Sequence, residues 1–133
     1  MAIEGVIFEL QPTCHVDARR KMIAVLNGDF SDFVAKQFVA KQVKLLDVFQ
    51  DTVLGGHYHD YAELYYLING SIRFDLEQID TKERDNFVML PGSRLYVPAR
   101  IAHKATAKKG TLFLGMSGSV YTSSEINDKK YEI

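Results

Sequence analysis

The sequence predicts an all-β fold (a β-sandwich, jelly roll or small barrel), and three observations predict it. Short apolar runs rich in β-branched and aromatic residues recur along the whole chain. Turn residues separate them, with Asn27-Gly28 and Asn69-Gly70 the clearest pairs. Only residues 30–38 have apolar spacing that fits a helical period. The chain has 133 residues, 47% of them hydrophobic, which suits one domain (1–133) with a core of its own.

Residues 5–10 are apolar and β-branched and read as a strand, which Pro12 to Asp17 interrupts. Residues 21–26 read as a second strand, closed by Asn27-Gly28. In 30–38 the apolar positions 30, 33, 34 and 38 fit a helix, or a turn followed by a strand. A turn at Ser31-Asp32 with a strand after it is the favoured reading. Residues 42–48 continue as strand, and 51–56 read as a turn region. Residues 61–68 are strongly β, and Asn69-Gly70 asks for a type I′ hairpin that returns 71–76 antiparallel. After a polar turn at 80–85, strands follow at 87–90, 94–97, 103–108 and 111–116. The set amounts to about ten short antiparallel strands. N-terminal strands occupy 1–39, the barrel core about 40–116, and the polar tail 117–133 reads as a loop or a loosely tied arm.

Net charge is −1 with both signs mixed along the chain, so no basic field invites nucleic acid. No apolar run is long enough to cross a membrane. The first ten residues carry no basic segment ahead of an apolar run, so no secretory leader is expected. Cys14 is the single cysteine, which rules out an intrachain disulfide, and a buried or half-buried thiol is expected. The expected setting is cytoplasmic, and the expected partner is a small molecule.

Four histidines occur, and residues 57–70 concentrate two of them: His-Tyr-His-Asp-Tyr-Ala-Glu-Leu-Tyr-Tyr-Leu-Ile-Asn-Gly. In a strand, side chains alternate between faces. His57, His59 and Glu63 share parity, so one extended segment turns all three to one face, with Tyr65 and Leu67 following. Two imidazoles and a carboxylate suit a first-row divalent metal. A fourth ligand must come from another strand, and His103, beyond the Pro98 turn, is the natural candidate. Tyr65, Tyr96 and Arg100 are candidate pocket residues, with Tyr58 and Tyr96 at the rim, and Arg73 and Arg100 read either as a solvated face or as one of them binding an anionic group.

These residues resemble the motifs of the cupin superfamily. The first motif is His-x-His, three residues, Glu, six residues, Gly, matched here by His57, His59, Glu63 and Gly70. Asp51 stands where that motif usually begins with Gly, although Gly55-Gly56 lies close by. The second motif is matched by Gly92, Pro98 and His103, with Arg100 replacing its inner Gly and Ala107 standing where Asn is often found. The resemblance implies a cupin-type jelly-roll β-barrel and one divalent transition-metal ion held by His57, His59, Glu63 and His103. Mn, Fe, Co, Ni, Cu and Zn all remain open. It also implies a homodimer.

A shorter resemblance lies at Asp17-Ala18-Arg19-Arg20. Cupins that act on nucleotide-linked sugars often carry Asp-x-Arg-Gly before an apolar strand, and here Arg20 replaces the Gly. The resulting expectation is a metal-dependent isomerase or epimerase on a sugar or other small oxygenated substrate. The alternatives are a metal-dependent dioxygenase and a non-catalytic small-molecule-binding cupin. In the nucleotide-sugar relatives the His-x-His segment often does acid–base work without a full metal set. The intact Glu63 therefore directs the expectation toward a metal centre.

Overall fold

β-Branched and aromatic runs fill two five-stranded antiparallel sheets in the computed structural model, which describes residues 3–28 and 32–133. The elements in chain order are β1 (Ile7–Leu10), β2 (Thr13–Val16), β3 (Lys21–Ile23), α1 (Phe33–Gln37), β4 (Gln42–Asp47), β5 (Thr52–Tyr58) and β6 (Glu63–Asn69). There follow β7 (Ile72–Gln78), β8 (Arg84–Met89), β9 (Ser93–Val97), β10 (Ile101–Ala107), β11 (Leu112–Ser117), α2 (Ser124–Asn127) and β12 (Lys129–Lys130). One sheet runs β1-β9-β6-β11-β4 and the other β12-β5-β10-β7-β8, while among the described residues β2 and β3 pair only with each other. From β4 to β12 the chain repeatedly crosses between the sheets, which is the jelly-roll arrangement that the sequence predicts.

Side chains between the sheets form the main core. Leu67, Leu95 and Phe113 from one sheet meet Ile72, Phe74 and Leu76 from the other, all essentially excluded from water. Burying each such side chain is worth roughly 1.5–3 kcal/mol. A second cluster covers the outer face of the first sheet, where Val34 and Phe38 pack on Leu64, Tyr66, Tyr96 and Met116. Strand β6 is therefore buried on both faces, which explains its unbroken apolar run from Leu64 to Leu67.

Three segments differ from the sequence expectation. Phe33–Gln37 is a helix and not a strand, because Asp32 caps it by accepting from the Val34 and Ala35 amides. Arg94 fixes that cap at 2.7 Å, and Ser31 of the expected Ser31-Asp32 turn lies outside the described residues, as does Phe30 before it. Residues 13–16, read as a break, form half of an exposed hairpin with β3 that carries the exposed Cys14. The tail is tied down, since β12 pairs with β5 and the Tyr131 amide donates to the Gly56 carbonyl at 2.9 Å. Among the described residues no helix is long and apolar enough to cross a membrane.

Candidate functional site

The site is built around a bulge. Residues 51–56, expected as a turn, mostly belong to β5, and Gly55 and Gly56 both adopt left-handed backbone, φ +87° and +80°. In the ladder with β10, Leu54 faces Ala105, Gly55 faces Lys104 and His57 faces His103, so Gly56 is the extra residue. Leu54 and His57 lie three apart and both line the cavity between the sheets. Without the extra residue, strand alternation would send His57 outward. A Cβ at Gly55 would stand 2.7 Å from the His103 carbonyl oxygen, so this close approach requires glycine.

The convergence of His57, His59 and Glu63 does not come from one extended strand. β5 ends at Tyr58, the chain turns through 59–62, and Glu63 opens β6 in the opposite sheet. A hydrogen bond from the Arg100 amide to the His59 carbonyl, 2.9 Å, holds that turn. The His57 ring centroid lies 4.6 Å from both His59 and His103, which are 5.2 Å from each other. Glu63 Oε1 lies 3.1 Å from His59 Nε2 and 3.4 Å from His103 Nε2, and accepts from the Tyr65 hydroxyl at 2.7 Å. On its other side His59 Nδ1 donates to the Asn127 carbonyl at 2.7 Å, and the Tyr61 ring stacks on the imidazole at 4.6 Å. Asp128 places one carboxylate oxygen 3.5 Å from His57 Nδ1 and the other 3.5 Å from His59 Nδ1. Among the described residues no hydrogen bond or ion pair engages His57 Nε2.

A cavity of about 310 Å³ opens beside these groups, walled by Leu46, Leu54, Phe74 and Phe113. Lys44 also lines it, its ammonium 3.6 Å from the centroid of the Tyr121 ring. Burial and neighbouring charges separate the titrating groups. Burial pushes the His57 pKa down, and the protonated His59 adds to that against the pull of Asp128 and Glu63. Burial disfavours charged His59 too, but the hydrogen bond and charge of Glu63, the Asn127 carbonyl and Asp128 together raise its pKa. Burial drives His103 down to about 4. Glu63 is buried, yet its hydrogen bond to His59 and the charges of His103 and His59 hold it at about 2. Tyr65 is raised well above 10 by burial and by Glu63.

The other candidates divide. Tyr65 lines the cavity through its bond to Glu63. Tyr96 does not: it faces the outer cluster on β9, edge-on to Phe38 at 5.9 Å. Arg100 lies outside as well, half-exposed and paired with Asp80 at 2.9 Å, because its left-handed backbone (φ +68°) turns the chain there. Tyr58 packs on Tyr131, and Arg73 pairs with Asp75 on the surface. The Asp17–Arg20 segment is a hairpin turn in which Asp17 Oδ1 accepts from the Arg19 and Arg20 amides, and no cavity-lining residue comes from it. Sequence reasoning missed Lys44, Tyr121, Asn127 and Asp128, none of which has a spacing or motif to mark it.

No protein-family model and no curated protein sequence matches the chain. Solved structures do. The sugar 3,4-ketoisomerase QdtA from Thermoanaerobacterium thermosaccharolyticum, in complex with TDP, superposes with a TM-score of 0.76 at 17% identity, covering 97% of this chain and 90% of that one. The TDP-quinovose 3,4-ketoisomerase WlaRB from Campylobacter jejuni gives 0.79 at 17% identity over 96% and 94%. The rmlC epimerase from Mycobacterium tuberculosis gives 0.81 at 15% identity over 98% and 70%. The chain therefore has the cupin fold that the motifs implied.

The same comparison corrects the expected cofactor. The structural neighbours are TDP-sugar isomerases and epimerases, which act without a metal, so the divalent ion expected on His57, His59, Glu63 and His103 is withdrawn. The metal-dependent dioxygenase alternative is withdrawn with it. Three imidazoles do gather ligand-capable atoms within 4.8 Å of one another, but Glu63 is not in that group. Its Oε1 is shared by two imidazole nitrogens and a tyrosine hydroxyl. It stands as a carboxylate acceptor between two imidazoles, and its charge favours the protonated form of His59.

Proposed function

We propose that the chain is an isomerase of a nucleotide-linked keto sugar that moves a carbonyl between adjacent ring carbons, with His57 as the base. The observation that carries this reading is the opposed state of two imidazoles in one cavity. His57 presents an unengaged Nε2 and burial lowers its pKa, while His59 is bracketed by Glu63 and the Asn127 carbonyl, which raise its pKa. Pairs of titratable groups whose surroundings push their pKa values apart are the signature of acid–base catalysis.

His57 Nε2 takes the proton from the carbon beside the carbonyl. The C–H electrons become a C=C bond, and the carbonyl π electrons move onto its oxygen, forming an enediolate. The positive charge of His59 favours that anion in a largely apolar cavity, where such a charge acts with little screening. The hydroxyl proton passes to the enediolate oxygen, and His57, its Nε2 proton exchanging with solvent while the enediolate stands, protonates the former carbonyl carbon. The carbonyl then stands on the neighbouring carbon. One unengaged imidazole nitrogen supports this same-face transfer over epimerisation, which needs a second proton donor on the opposite face. Lys44, the one Lys or Arg lining the cavity among the described residues, suits the phosphates of a nucleotide-linked substrate.

Incubation with a TDP-linked 4-keto sugar in D₂O tests the reading. One deuterium per product is expected at the carbon that receives the proton. His57→Asn is expected to lower turnover by roughly 10²–10⁴. Tight binding of nucleotide-linked keto sugars with neither exchange nor turnover would overturn it in favour of a binding module.

A further inference from the structure

His59 is fixed on one side by Glu63, a neighbour in the same sheet-to-sheet turn. Its other side is fixed from far along the chain, and the residue responsible makes that contact with its backbone. Asn127 is buried, and its side chain makes four hydrogen bonds within the loop 120–127. Oδ1 accepts from the Thr122 amide at 2.8 Å, the Thr122 hydroxyl at 3.2 Å and the Ser123 amide at 3.2 Å. Nδ2 donates to the Val120 carbonyl at 3.3 Å, and the Asn127 amide donates to the Ser123 carbonyl at 2.9 Å. The loop is thus knotted by one amide group. What the knot presents to the cavity side is the Asn127 carbonyl, which meets His59 Nδ1 at 2.7 Å across 68 residues of sequence.

A backbone carbonyl only accepts, so His59 Nδ1 must carry a proton. The stacked Tyr61 ring fixes the plane of the imidazole, 12° from its own, but a half-turn within that plane would exchange Nδ1 for a carbon. The carbonyl selects one of the two orientations. It thereby also selects which nitrogen faces Glu63.

We propose that Asn127 is a positioning residue, whose side chain knots the loop 120–127 so that its own carbonyl sets the orientation and Nδ1 protonation of His59. On the isomerase reading above, on which its catalytic consequence rests, the knot keeps the His59 charge aimed at the enediolate. It also sets Asp128, the next residue, beside both histidines.

Nitrogen-15 NMR of the imidazoles tests the geometry without substrate. In the native protein His59 Nδ1 is expected to be protonated and slow to exchange with solvent. Asn127→Ala is expected to speed that exchange at least about tenfold. Asn127→Asp keeps the acceptor for three of the four side-chain bonds and is expected to restore slow exchange. In turnover, Asn127→Ala should lower kcat about a hundredfold, with KM within about threefold, since misplaced catalytic geometry costs on that order. An unchanged Nδ1 signal in Asn127→Ala overturns the proposal. If that variant does not fold, the native protein decides: the Nδ1 proton and the Thr122 and Ser123 amides should exchange together, and independent exchange overturns it. Failure of the isomerase reading is separate, because it appears as a native protein with the expected NMR signature and no turnover.

Discussion

At the scale of single residues, Glu63 makes two histidines in one cavity chemically unlike. Its carboxylate, held at about 2, raises the pKa of His59, while burial lowers that of His57. The consequence is a bell-shaped pH dependence whose limbs straddle 6.5, the ordinary value of both groups. The sign follows from the roles. The proposed base His57 must be deprotonated, and its pKa is lowered, so activity falls only below pH 6.5. The charged His59 must stay protonated, and its pKa is raised, so activity is lost above pH 6.5. Because the two interact, the limbs report the pair and not each residue alone. A kcat/KM profile across pH 4–9 checks this, and Glu63→Gln is expected to move the alkaline limb toward lower pH. A profile without an alkaline limb would exclude a required imidazolium. His57, His59, Glu63 and His103 were legible in sequence as a group, because imidazoles and a carboxylate are scarce residues in a recognisable spacing. Their role was not, because whether an imidazole binds a metal or a proton depends on what stands beyond its second nitrogen. Here that is Asn127 and Asp128, single polar residues in a tail with no periodicity.

At the scale of elements, the bulge in β5 is the device that turns His57 into the cavity. Gly55→Ala would place a Cβ 2.7 Å from the His103 carbonyl oxygen on a left-handed backbone. Left-handed backbone alone costs a non-glycine residue roughly 1–2 kcal/mol. Gly110 has the same φ, +87°, with nothing within 4 Å of its Cβ position, so Gly110→Ala isolates that conformational cost. The expected outcome in urea unfolding is a loss of about 1–2 kcal/mol for Gly110→Ala and a larger loss for Gly55→Ala. Only Gly55→Ala should reduce turnover. Equal losses would mean that the approach to His103 relaxes freely. Parity reading along 57–63 put the right residues together for the wrong reason. It assumed one strand, where the chain has a bulge, a strand end and a sheet change. Gly55-Gly56 was visible, but a glycine pair reads as a turn until its ladder partners are known. Likewise the helical spacing in 30–38 was visible, and what decides for Phe33–Gln37 is the Asp32 cap braced by Arg94 from β9.

At the scale of the molecule, the alternation of short apolar runs and turns was enough to predict an all-β fold, which the cupin motifs narrowed to a jelly roll, and among the described residues ten of twelve strands belong to two sheets sharing one core. The remaining two, β2 and β3, pair only with each other, and a two-stranded hairpin is marginal on its own in water. It also exposes Val16 and Met22. One edge strand of each sheet, β1 and β8, meets the other where the Phe8 and Phe87 rings lie 5.0 Å apart. These edges expose Leu10, Val88 and, just beyond β8, Leu90, each more than half accessible. Exposed edges and apolar side chains of this kind invite pairing with another chain. We propose that a second copy covers this face, with the hairpin lying against its twin. Light scattering at micromolar concentration should give twice the 15.1 kDa chain mass. Leu10→Lys combined with Val16→Lys should halve it while leaving the far-ultraviolet spectrum unchanged, because neither side chain belongs to either core cluster. A native protein that scatters as a monomer would overturn this pairing, and a double variant that still pairs would place the interface elsewhere.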